Sequence, residues 1–185
     1  MNKISAAIPT LILMVFLFSN CEQEPTYESM VQAGKNSGVE KNDLFLQYQL
    51  GMTRDDFFKV SWEMNKEQKI SGLVKIDYEF NELKSRALMR FYPDFVDDRI
   101  SKMPVDVHYV GWAPWNDNLS SDSLAVDLVE YYEKIYETSF NHVYVPHLEK
   151  EAFVSVDGNR EISIYPLTDM VTRVDFTDLN AIDRL

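Results

Sequence analysis

From Thr53 onward the chain takes on a helical period. Phe57, Val60, Ser61 and Met64 fall at i, i+3, i+4 and i+7, and Phe58 and Trp62 widen that apolar face, as in an amphipathic helix with one side on a core. Thr53 is placed as the N-cap, its hydroxyl accepting from the first-turn N–H groups, and Asp56 makes a shortened capping box. Asp55 and Asp56 add negative charge at the positive end of the helix dipole. Gly51 permits a sharp turn out of the preceding apolar run Leu44, Phe45, Leu46 and Leu50.

The period then changes to two. Val74, Ile76, Tyr78 and Phe80 alternate with Lys75, Asp77 and Glu79, which predicts a half-buried strand. Ala87 to Tyr92 reads as a second strand closed by Pro93. After a connection carrying Asp97-Asp98-Arg99, Val105, Val107 and Tyr109 mark a third strand that ends near Trp112. Turn residues from Ala113 to Asn118 break the pattern. Ser120-Ser121-Asp122 then caps a second helix, with Leu124, Leu128, Tyr131, Tyr132 and Ile135 at helical spacing and an end near Thr138. Val143 to Val145, Ala152 to Val156, Ile162 to Tyr165 and Met170 to Phe176 follow as strands. Asp157-Gly158-Asn159 predicts a hairpin, because Gly158 tolerates a positive φ.

The predicted fold class is α+β: an antiparallel sheet of six to seven strands with two helices on one face. Residues 43–185 form a single domain in this reading, and 51–112 and 120–179 are apparent helix-plus-three-strand half-repeats.

The N-terminus follows other rules. Residues 1–20 carry Lys3 and then an apolar run from Ile4 to Phe18, the length of a signal-peptide core rather than of a membrane span. The run ends at Leu17-Phe18-Ser19-Asn20-Cys21, and Cys21 is the chain's one cysteine. An ordinary secretory signal would leave that thiol unpaired in an oxidising compartment. Residues 21–42, with sparse and unperiodic apolar positions, read as a flexible tether with room for a short helix around Tyr27 to Ala33. Fully extended, such a tether would reach about 70 Å.

Charge narrows the partners. The chain has 18 Lys+Arg against 30 Asp+Glu, a net charge of −12, which repels nucleic-acid phosphates and anionic lipid headgroups. Candidate chemistry is thin. There is no G-x-S-x-G turn and no HExxH. His142 and His147 straddle Pro146, a spacing that suits capping or packing better than metal binding, and His108 sits in an apolar strand. Asp97-Asp98 and Asp77/Glu79 are carboxylate pairs of the type glycoside chemistry uses, and solvated charge accounts for them better. With six glycines and no phosphate loop, nucleotide binding has no starting point. No catalytic residue, metal or cofactor is therefore expected. The loop Trp112-Ala113-Pro114-Trp115 is the candidate partner or ligand contact; the competing reading folds both tryptophans over the end of the sheet.

Three resemblances add to this. The segment ending at Cys21 resembles a permissive Bacteroidetes lipobox, which implies diacylation of Cys21, removal of the preceding peptide and acylation of the new amino terminus. Leu50 to Asp56 resembles the "GMT-[KR]-[ED]-[ED]" helix start of the small-protein-A type outer-membrane assembly lipoproteins. That family continues with a Gly-Pro turn where this chain has Phe57-Phe58, and tandem units of this kind also resemble the β-lactamase-inhibitor-protein fold. The Trp112 to Trp115 loop and the closing Val174 to Leu179 run resemble uncharacterised Bacteroidetes-type lipoproteins. The expected protein is a lipid-anchored, outer-membrane module of the bacterial envelope that contacts another envelope protein without catalysis. The alternative is a ligand- or glycan-binding lipoprotein using Trp112 and Trp115.

Overall fold

The structure, a computed structural model, describes residues 24–72 and 75–182. The expected signal peptide, residues 1–20, and Cys21 lie outside these, as does Val74 of the first predicted strand. The fold is α+β. Among the described residues four α-helices, α1 (Tyr27–Ser37), α2 (Arg54–Lys66), α3 (Ser121–Tyr136) and the short α4 (Leu179–Ile182), accompany one antiparallel sheet. Its strands are β1 (Ile76–Phe80), β2 (Ala87–Phe91), β3 (Asp94–Val96), β4 (Arg99–Tyr109), β5 (Asn141–Val145), β6 (Lys150–Asp157), β7 (Arg160–Pro166) and β8 (Thr172–Asp178). The strand order is β1-β2-β4-β8-β7-β6-β5, with β3 paired to β4 off this path. Each half is thus a helix followed by a meander, and the two meanders join along their last strands, β4 and β8.

The eighth strand is β3, where the sequence pattern predicts only a connection. Asp97 and Asp98 both take positive φ, 48° and 60°, which is the geometry of a two-residue hairpin turn. The turn at Gly158 also forms as expected, with φ +64° and Asp157 paired to Arg160.

α2 begins as its sequence predicts. The Thr53 hydroxyl accepts from the Asp56 N–H at 3.2 Å and donates to the Asp56 carboxylate at 2.7 Å. Its buried stripe is Phe57 and Met64. α3 is capped by Ser120, which accepts from the Ser123 N–H at 3.3 Å, and it buries Leu124, Ala125, Leu128 and Tyr132. Both helices share one core with the same sheet face, where Met89, Phe91, Val105, Val107, Ile162, Ile164, Val174 and Phe176 are buried. Aromatic rings bind the halves together: Phe80 on β1 meets Tyr131 on α3 edge-on at 4.9 Å, the geometry that ring quadrupoles favour, and Phe45 bridges Phe91 at 4.8 Å and Phe176 at 5.6 Å.

The opposite face is where the structure departs from expectation. The described part of the segment expected as tether, residues 24–42, holds α1, which docks on β6 and β5. Tyr27 and Met30 pack on Val145, Ala152, Val154 and Tyr165, a second and smaller core. Gly34 lets the helix approach closely, since a Cβ there would lie 2.4 Å from a Val156 methyl and 2.7 Å from the Gly158 carbonyl oxygen. Beyond α1 the Asn159 N–H donates to the Val39 carbonyl at 3.2 Å, and the Asn159 side-chain oxygen accepts from the Lys41 N–H at 2.7 Å. A third helix therefore covers the face left open by α2 and α3. Its anchoring is a small apolar contact through Tyr27 and Met30, plus the hydrogen bond from Tyr27 to Glu161 and those that follow the helix, so few apolar residues are needed to hold it.

The rest of that face is a ladder of alternating charge. Asp77, Arg90, Asp106 and Arg173 stand opposite one another across β1, β2, β4 and β8. Arg90 grips Asp77 with two hydrogen bonds, 2.7 and 3.3 Å, and Arg173 meets Asp106 at 2.7 Å. Such opposite-charge cross-strand pairs stabilise a solvated sheet face.

Buried phenols give the fold an alkaline limit. Burial pushes the Tyr48 hydroxyl up to about 12, against the smaller opposing effect of its hydrogen bond with Ser61, and burial raises Tyr132 and Tyr136 as well. A group whose folded pKa exceeds its unfolded value loses stability as pH rises between the two. Stability should therefore hold up to about pH 10, the ordinary phenol value, and fall between about pH 10 and 12. Phenolate absorbance should rise in step with loss of far-ultraviolet circular dichroism. Independent, gradual titration around pH 10 with the fold intact would contradict this.

Candidate functional site

Two surface features concentrate exposed aromatic residues. The first is the outer side of α2, where Trp62 is 60% exposed and Phe58 44%. The sequence pattern places both in a widened apolar face. The helix instead buries only the Phe57–Met64 stripe, against Tyr48 and the hairpin residues Tyr92 and Phe95. Phe58 and Trp62, with Ser61, Asn65, Gly72 and Ile76, line an apolar cleft of about 420 Å³ beside the outermost strand β1. The Lys66 ammonium sits 5.4 Å from the Trp62 ring, within cation–π range.

The second is the loop after β4. Trp112, Pro114, Asp117, Asp122, Thr168 and Asp169 are among the residues that line a cleft of about 610 Å³. Trp112 is partly buried in its wall, but Trp115 stands clear at 86% exposure. The two tryptophans therefore part company, and only Trp112 follows the reading in which both fold back. The Ser121 N–H donates to the Asp169 carbonyl at 3.1 Å and Thr172 donates to the Ser121 carbonyl at 2.8 Å, so the β7–β8 turn is fastened to the start of α3.

Four of the remaining candidates, Asp77, Asp98, His142 and His147, have identifiable partners. Asp77 is held by Arg90, and Asp98 by Arg54 at 3.1 Å. His142 lies against Phe153 at 4.8 Å and His147 against Tyr27 at 5.6 Å. Glu161, buried on the α1 side, accepts from Ser163 at 2.6 Å and from the Tyr27 hydroxyl at 3.0 Å. Asp175, also buried, accepts from Tyr165 at 3.0 Å and pairs with Lys102 at 2.9 Å. The Tyr109 hydroxyl donates to Asp127, which also pairs with Lys84 at 2.8 Å. Cys21 lies outside the described residues. Among the described residues no helix is long and apolar enough to cross a membrane.

No protein-family model, curated protein or solved structure matches the chain.

Proposed function

We propose that this chain is a lipid-anchored cell-envelope protein, held at the outer membrane through Cys21, that acts without catalysis by contacting another envelope protein. The anchor rests on the apolar run that ends at the chain's one cysteine. The contact role rests on the outer side of α2. A helix of mean polar character exposes Phe58 and Trp62 around an apolar cleft, and rigid aromatics at the centre of such a patch are the usual anchors of protein interfaces. The occupant that suits it is an apolar side chain or short segment of a protein, because the net charge of −12 disfavours polyanions.

A photoreactive amino acid at position 62, used in the native envelope, should give one defined protein adduct. The same probe at the exposed Asn36 on α1 should give none. Absence of an adduct at position 62, or equal labelling from both positions, would count against this function.

A further inference from the structure

We propose that the rim of the sheet bearing Trp115 lies against the bilayer that receives the Cys21 lipid, with Trp115, Leu167 and Met170 at headgroup depth. This rests on the lipid-anchor reading and adds an orientation and a second membrane contact to it.

The topology gathers the apolar residues on one rim. Val107 pairs with Thr172, Pro166 with Thr172, and Val145 with Lys150. The loop after β4, the β7–β8 turn and the β5–β6 turn therefore leave the sheet at the same end. On the first two of these, Trp115 is 86% exposed, Val110 48%, Leu167 43% and Met170 40%. These are side chains that water-facing turns have no reason to carry together.

α1 starts at that same rim. Its first residue, Tyr27, lies 5.6 Å ring-to-ring from His147 in the β5–β6 turn, while its far end docks at Gly158 on the opposite rim. Docking of α1 shortens the leash to the few residues between Cys21 and Tyr27, about 20 Å at full stretch. The strands beneath α1 are longer than that: β6 has 8 residues, which at about 3.3 Å each span about 26 Å. With its start beside His147, the leash brings this rim to the lipid more readily than the opposite one. Across the rim, β4 and β6 are three strand spacings apart, about 14 Å, so the Trp115 loop lies close beside the attachment.

The chemistry suits a zwitterionic, ammonium-bearing lipid surface. Tryptophan favours the water–hydrocarbon boundary, where its ring is half solvated. Asp117, Asp122 and Asp169 line the adjoining cleft, which disfavours anionic headgroups and welcomes ammonium groups, as does an indole face. The acyl chains supply the affinity and the rim fixes which surfaces face outward.

The test uses the acylated full chain in vesicles of phosphatidylcholine and phosphatidylethanolamine carrying brominated acyl chains. The double variant Trp62→Phe/Trp112→Phe leaves Trp115 as the lone tryptophan of the original three. Its emission should shift to the blue and be quenched at least twofold by the bromolipid. A dye at Met170→Cys should be quenched likewise, and one at Asn180→Cys, by the opposite rim, should not. This dye pair reads the same rim depth should the tryptophan variant fold poorly. Flotation reads the anchor separately. A chain that floats with Trp115 and the Met170→Cys dye unquenched overturns this proposal and leaves the anchor standing; a chain with Cys21 intact that its host leaves unacylated, and that does not float, overturns both. A soluble oligosaccharide that alone shifts Trp115 emission, with no bromolipid quenching, would assign the loop to glycan binding instead. Gly34→Leu, which cannot keep α1 docked, should float equally and lose most of the quenching. Full quenching in that variant would overturn the orienting role of the helix.

Discussion

Phe176→Ala is expected to lower stability by about 3–5 kcal/mol, the cost of removing a fully buried phenylalanine and leaving a cavity that its neighbours cannot close. Phe176 has no exposed surface and sits on β8, the strand that joins the two meanders. Its ring contacts Phe45, Tyr132 and Tyr136 at 5.6, 5.5 and 6.2 Å, so the early loop, α3 and the sheet all lose a partner at once. Domains of this size carry about 5–15 kcal/mol in total, so the variant should retain only a fraction of its margin. Urea unfolding should show a much lower midpoint with an unchanged slope. The exposed Trp62→Ala serves as the contrast, with a change within about 0.5 kcal/mol. A Phe176→Ala midpoint close to the parent would mean that the two halves do not share this core.

Gly158→Val should cost about 3 kcal/mol or more, through two effects that add at one position. The backbone there has φ +64°, a region that a β-branched residue rarely enters. A Cβ would also stand 2.3 Å from the Val39 carbonyl oxygen and 2.9 Å from its carbon, both backbone atoms that cannot swing aside. The hairpin and the docked end of α1 must therefore separate. The hydrogen bonds from Asn159 to Val39 and from Lys41 to Asn159 should be lost with them. Hydrogen exchange should accelerate across residues 27–41 and 156–160 before it does so in β4 or β8. Exchange rates in α1 equal to the parent's would show that the helix is held in some other way.

The features legible in the sequence are those that local causes determine. The Thr53 cap, the Phe57–Met64 stripe and the Gly158 turn each depend on a handful of neighbouring residues, and each formed as expected. α1 is held by contacts such as Tyr27 to Glu161, 134 residues apart, which no short window of sequence contains. Its polar composition therefore reads as tether. The junction of β4 with β8 is equally non-local: period and turns give strands and hairpins, but not which meander edges meet. At the surface, the loop containing Trp112 and Trp115 is identifiable from sequence, yet their separation into one half-buried and one open ring is not. A signal for Trp62 is present and outweighed. Lys59, Glu63 and Lys66 flank it on the same side of α2, which marks that side as solvated, while hydrophobicity alone groups Trp62 with the core.

Those surfaces acquire a common meaning if the lipid holds one rim and α2 presents its aromatic side to a partner. The chemistry at residue 21 decides that frame most directly. Metabolic labelling with an alkyne fatty acid in the native host, read by gel after click coupling and by membrane fractionation, compares the parent chain with Cys21→Ser. A lipid anchor at Cys21 predicts a labelled, membrane-retained parent and an unlabelled variant released from the membrane. An unlabelled parent, or a Cys21→Ser variant that still carries the acyl label, would contradict it.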